Sequence, residues 1–294
     1  MPKRIPLLSL LVLLGLWSVP QPSFAQALVP YTLQLDSKEL EQQGLILAQD
    51  AAQLARFQQF ELALPRAQLS TQLAPQRFQT WFLLGTLYVQ SQQVDKGITA
   101  LQKAQSLEPK EASIRFSLGS AYFQQGKYQT AVSSIQEGLK LKPDVPEALF
   151  DLGNAYYKLG NSQQAIAQYQ KAAAKDPKFW PAINNIGLVK YESGDVEGAL
   201  RQWRAANSLD SKAAEPLLAM AVALYGKGDR EQGLRMGEAA IRIDNRYTDL
   251  KFLKDNLWGD RLINDTKKFL QIPRIQASIA EAKSQPSPNE MAPQ

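Results

Sequence analysis

Neither cysteine nor histidine occurs anywhere in the 294 residues. That absence removes disulfides, thiolate or imidazole metal ligation, and every Cys-His or Ser-His catalytic pair. It leaves the redox compartment open. Charge of one sign is also scarce: 33 basic against 28 acidic residues give a formal +5, too little to build a phosphate-binding face. Glycine and proline number 17 each, too few for a flexible polymer and enough for punctuation. No glycine-rich phosphate loop follows a strand, and no strand pattern is evident. Acidic residues such as Glu137, Asp144, Glu147, Asp176 and Asp195 fall at helix ends and turns, where capping and helix dipoles favour carboxylates without catalysis. The only long apolar run, Ile5–Val19, falls short of the roughly 20 residues that span a hydrocarbon core.

What the chain does have is a period of thirty-four. Pro75, Pro109, Pro143 and Pro177 keep that interval, and so do Gly85, Gly119, Gly153 and Gly187. Gly126, Gly160, Gly194 and Gly228 form a third ladder; Tyr88, Tyr122 and Tyr156 form a fourth, and Leu84, Leu118 and Leu152 run beside it. Proline, glycine and aromatic residues answer to different constraints, so their shared interval marks stacked helical hairpins. Six units fit: 44–77, 78–111, 112–145, 146–179, 180–213 and 214–247.

Each ladder has a physical reason. Gly119, Gly153 and Gly187 fall mid-helix, where glycine costs about 1 kcal/mol relative to alanine, so their recurrence implies a helix contact with no room for a side chain. The later glycines fall in the turn, where positive φ is easy only for glycine. Asn161, Asp195 and Asp229 follow directly and are expected to cap the second helix. Ala131, Ala165 and Ala199 are the small residues against which the first helix packs, and the prolines stop each second helix. Upstream, Asp36 and Glu39 have capping-box spacing and predict a helix start.

These residues resemble the tetratricopeptide repeat. The helix-A pattern W-x2-L-G-x2-Y is complete as Trp81, Leu84, Gly85 and Tyr88, and recurs without tryptophan around Gly119 and Gly153. The helix-B pattern is met by Ala131, Ile135 and Pro143, by Ala165, Tyr169, Ala172 and Pro177, and by Ala199, Trp203 and Ala206. Units one and six depart most, as terminal units do; unit five has Lys190 for the tyrosine, and unit six has Ala221 for the helix-A glycine. The resemblance implies an all-α, right-handed superhelical solenoid of stacked antiparallel helix pairs, with fourteen to sixteen helices.

It further implies a concave groove lined by helix A of every unit. The groove residues are then Phe82, Phe116, Phe150 and Asn184 at position five, Asn154 at position nine, and Phe123, Tyr157, Tyr191 and Tyr225 at position twelve. Phe116, Phe150, Tyr157 and Tyr191 form the expected central wall for an extended or helical segment of another protein. The alternative is that some of these rings pad the helix interface. A carboxylate clamp is not expected, because position five is phenylalanine where clamp-bearing relatives use lysine.

Lys3 and Arg4, the Ile5–Val19 run and the A-x-A at Ala25 and Ala27 make 1–27 a signal peptide or N-terminal membrane anchor. Residues 28–247 are then the repeat superhelix, 248–283 C-terminal capping helices and 284–294 a disordered tail. Leu250, Leu253, Leu257 and Trp258 mark one apolar face of the capping segment, and Leu262, Ile263, Phe269 and Leu270 another; a membrane-surface helix is the alternative for this segment. The expected function is a non-enzymatic protein–protein scaffold with no cofactor, no metal and no nucleic acid. Alternatives are a periplasmic envelope-complex adaptor or a glycan- or lipid-binding repeat protein. QPSFAQALVP and LKFLKDNLWGDRLINDTKKFL also resemble, more loosely, cyanobacterial membrane-associated tetratricopeptide proteins that interact with light-dependent protochlorophyllide reductase. That resemblance implies a pigment-synthesis or photosynthetic assembly partner at the thylakoid; the location otherwise implied is the periplasm.

Overall fold

The computed structural model describes residues 36–284. The leader of residues 1–27, residues 28–35 and the tail beyond Ser284 lie outside the described residues. The chain divides after Glu39. Of the first unit, Asp36 accepts a hydrogen bond from the Lys38 backbone N–H at 2.9 Å, the cap expected from the sequence.

From Leu40 onward the chain is a stack of paired antiparallel helices, with no strand among the described residues. The first helices of the pairs are α1 (Ser37–Arg56), α3 (Phe78–Gln90), α5 (Ala112–Gln124), α7 (Pro146–Lys158), α9 (Trp180–Glu192) and α11 (Ala214–Lys227). Their partners are α2 (Phe60–Leu73), α4 (Val94–Leu107), α6 (Tyr128–Leu141), α8 (Ser162–Lys175), α10 (Val196–Leu209) and α12 (Arg230–Ile243). A 3-10 turn (Asn245–Thr248) leads to α13 (Leu250–Asp255), α14 (Asp260–Leu270) and α15 (Pro273–Ser284).

The helix-A glycines are contact points. A methyl group on Gly119 would collide with Ile135, on Gly153 with the Tyr169 ring, and on Gly187 with the Trp203 indole. Ile135, Tyr169 and Trp203 are themselves in register and buried, so each glycine admits the one large side chain of its partner helix. Ala131, Ala165 and Ala199 are fully buried at the same crossings. The turn glycines all have positive φ, from 75° at Gly126 to 104° at Gly228. Of the three expected caps only Asp195 makes one, accepting from the Gly198 N–H at 2.8 Å. Gly198 presents no Cβ against that carboxylate, whereas Gln164 and Gln232 stand three residues beyond Asn161 and Asp229, which make no side-chain cap bond.

The C-terminal helices do more than close the end of the stack. α15 packs on α12, the terminal position expected of a cap. α14 instead lies on α9 and α11, along the face made by the first helices. Leu262, Ile263, Thr266, Phe269 and Leu270 of α14 are buried there, so its apolar face is spent on protein, against the membrane-surface alternative.

Candidate functional site

The face formed by the first helices divides in two. Over units five and six it is occupied. Glu192, the last residue of α9, receives the backbone N–H groups of Arg261 at 3.0 Å and Leu262 at 2.9 Å, one on each carboxylate oxygen. Those N–H groups belong to the first turn of α14 and have no partner within the helix, so Glu192 caps α14 across 70 residues of sequence. The Tyr191 hydroxyl donates to Asp265 at 2.9 Å, and the Arg261 guanidinium lies 5.1 Å above the Tyr191 ring. At the far end Phe269 meets Tyr225 edge to face at 5.5 Å.

Two of the residues read from the sequence as groove wall are therefore corrected. Tyr191 is buried beneath α14 rather than open to a partner. Asn184 is fully buried: its amide bonds to Asn185 and its backbone carbonyl accepts the Trp203 Nε1–H at 3.2 Å. Asn154 is engaged as well, accepting from the Tyr169 hydroxyl at 2.8 Å and from Asn185 at 3.1 Å. Tyr225 is half-buried but faces Phe269 of the same chain. For Tyr191 and Tyr225 the sequence carries no signal of this, because the helix that covers them is non-repeating.

Over units two to four no helix among the described residues lies on α3, α5 and α7 in the way α14 does on α9 and α11. Phe82, Phe116, Phe123, Phe150 and Tyr157 are half-buried there. The position-five rings serve packing: Phe116 fills the space above Gly138, and Phe150 stands edge-on to Phe179 at 5.3 Å. Phe123 leans on Tyr128 at 5.2 Å. Burial holds the Tyr157 hydroxyl well above the usual range, and the charges of Glu192 and Asp260 add to the shift. Between α5 and α7 the Ser120 hydroxyl donates to Asp151 at 3.0 Å. Burial raises this carboxyl to about 6 despite that bond, with Glu147 adding to the shift. The helix pattern did not single out Asp151, Glu192, Arg261 or Asp265.

Among the described residues no group of acidic, histidine or cysteine side chains could hold a metal, and no helix is long and apolar enough to cross a membrane. Residues 32–174 match the family described as the cytochrome c-type biogenesis protein H TPR domain. No curated protein matches the chain. Among solved structures, a MamA protein is 25% identical over 56% of this chain and 96% of its own, with a TM-score of 0.50. PilF of Pseudomonas aeruginosa is 14% identical over 75% of this chain and 98% of its own, with a TM-score of 0.61. A thermophilic tetratricopeptide protein of Thermus thermophilus is 18% identical over 62% of this chain and 98% of its own, with a TM-score of 0.53. At such identities the Pseudomonas and Thermus proteins speak for the fold alone. Solenoids of this kind are in general non-catalytic scaffolds, in agreement with a chain that has neither cysteine nor histidine.

Proposed function

We propose that this tetratricopeptide-repeat solenoid is a non-enzymatic scaffold that holds a helical segment of another protein on the first-helix face of units two to four. The observation that carries the reading is α14. An amphipathic helix of this very chain lies on the same face two units further on, held by buried apolar residues and an end-capping carboxylate. A surface of the same repeat register, with half-buried rings at Phe123 and Tyr157 and polar groups at Ser120 and Asp151, suits an occupant of the same kind.

The leader reading supports an exported or membrane-associated location, since Lys3, Arg4 and Ile5–Val19 have the order of a translocation signal. A photosynthetic or pigment-synthesis partner rests on the looser cyanobacterial resemblance alone, and a periplasmic adaptor role rests on the leader alone.

The test is a photo-cross-linking residue at position 123 or 157 in the source organism, with the captured partner identified and purified. Calorimetry then compares wild type with a Phe123→Ala/Tyr157→Ala variant. Aromatic anchors contribute on the order of 2 kcal/mol each, so affinity should fall roughly 100-fold if the losses add, with helicity unchanged. Unchanged affinity with intact circular dichroism would refute this face as the site.

A further inference from the structure

The second helices of units three and four leave a cleft of about 700 Å³ between α6 and α8, on the opposite side of the stack from α14. Leu149 and Pro143 line it, together with Gln136 and the lysines Lys140, Lys171 and Lys175.

The repeat explains why it is open. Trp81, Arg115 and Leu149 share one register, and Pro75, Pro109 and Pro143 share another. In unit two the Trp81 indole lies against the preceding closing loop and donates its Nε1–H to the Pro75 carbonyl at 2.9 Å. In unit three Arg115 occupies the same place, donating from Nη2 to the Pro109 carbonyl at 3.2 Å and pairing with Glu137. Both side chains are planar and carry N–H groups. Leu149 is shorter and has no donor, so in unit four nothing at this register covers the loop or reaches the Pro143 carbonyl.

The register also reverses the charge. The residue thirty-four beyond Glu137 is Lys171. Of the three lysines, Lys175 pairs with Asp144 at 2.8 Å, while Lys140 and Lys171 have no carboxylate partner among the described residues. Asp144, the carboxylate in the lining, is already paired with Lys175, so an arginine arriving from outside would find no free carboxylate of the kind Arg115 finds in Glu137 and would meet the unpaired ammonium groups. An indole brings the shape and donor of Trp81 without that repulsion, and neighbouring carboxylates would answer the lysines.

We propose that the α6–α8 cleft is a second docking site, which takes a tryptophan side chain from an acidic segment of a partner protein, its indole replacing in trans what Trp81 supplies in cis. Lys140 and Lys171 draw in the flanking carboxylates, and the Pro143 carbonyl receives the indole N–H.

The probe is a random twelve-residue peptide library displayed on phage, panned on the full chain and counter-selected on Leu149→Trp, which fills the cleft from within. Peptides lost on the variant should carry tryptophan with Asp or Glu beside it. The best of them, made synthetically, should bind at least tenfold more weakly to Leu149→Trp, to Lys140→Glu/Lys171→Glu, and when its own tryptophan is replaced by alanine. The charge-reversal pair changes exposed side chains, so it keeps the test decisive if Leu149→Trp disturbs the fold. Selected peptides without tryptophan or acidic neighbours, binding that survives the charge reversal, or a library with no peptide sensitive to either variant would each overturn the proposal. Because α6–α8 lies away from Phe123 and Tyr157, loss of this site leaves the first-helix face to be judged separately.

Discussion

Gly126, Gly160, Gly194 and Gly228 turn the chain from first to second helix with positive φ, and so do two residues that are not glycine. Gln58 has a φ of 58° and Gln92 a φ of 61°, in the same thirty-four-residue register. The backbone demand is thus constant through all six units while the residue that meets it is not. An L side chain in the left-handed region costs about 1 kcal/mol or more relative to glycine. Gln92 is exposed and lies in a turn, so its side chain contributes little that would offset this strain. Gln92→Gly should therefore stabilise the protein by roughly 0.5–1 kcal/mol, against the usual loss from adding glycine. Urea unfolding of the two proteins measures it, and a destabilised variant would show that the turn carries no strain. The turn was legible from four glycines; its presence at Gln58 and Gln92 was legible only from the interval, because glutamine gives no sign of positive φ.

At the scale of elements, the repeated helices announce themselves and the unrepeated ones do not. Leu262, Ile263, Phe269 and Leu270 foretold an amphipathic helix, since apolar spacing is local information. Where that helix would lie was not local: the match between Glu192 and the first turn of α14 joins residues 70 apart in the sequence and follows no period. The same limit applies to Tyr191 and Asn184, whose register is that of a groove and whose surroundings are those of a core. Glu192 stabilises α14 through two charge-assisted bonds at a helix N-terminus, a contribution of about 1–2 kcal/mol. Glu192→Ala should raise amide exchange across α14, first at Arg261 and Leu262, while α3 to α8 keep wild-type protection. Hydrogen exchange by mass spectrometry reads both regions together. Equal protection of α14 in variant and wild type would mean that apolar burial alone holds it.

For the molecule as a whole, a polar seam runs through the stack and ends on the C-terminal segment. Ser120 bonds to Asp151, Asn185 to Asn154, Asn184 to Asn185, and the Trp258 Nε1–H donates to Glu215 at 2.9 Å. Glu215 is buried, and its carboxyl is raised to about 7 by burial, against the opposing bonds from Trp258 and Asn184. Asn184 Oδ1 is buried and unpartnered. The folded protein therefore holds a proton that the unfolded chain releases above its ordinary value of 4.5. Stability from this group is fully present below about pH 4.5 and is lost as the pH rises to about 7, by up to roughly 3 kcal/mol. Asp151, raised to about 6, adds a smaller loss in the same direction. The carboxylates lowered by arginine or lysine partners, Glu231, Glu238, Asp195 and Asp244, act in the opposite sense and below this window. Glu215→Gln keeps an acceptor for Trp258, with nothing left to titrate. The variant should match wild type near pH 4.5 and exceed it by about 3 kcal/mol at pH 8, leaving only the shallower slope due to Asp151. Chemical denaturation at a series of pH values separates the outcomes. A variant that is weaker than wild type at pH 8, or that keeps the full slope, would mean that Glu215 is ionised within the folded stack and that its charge, rather than its proton, joins the C-terminal segment to the repeats.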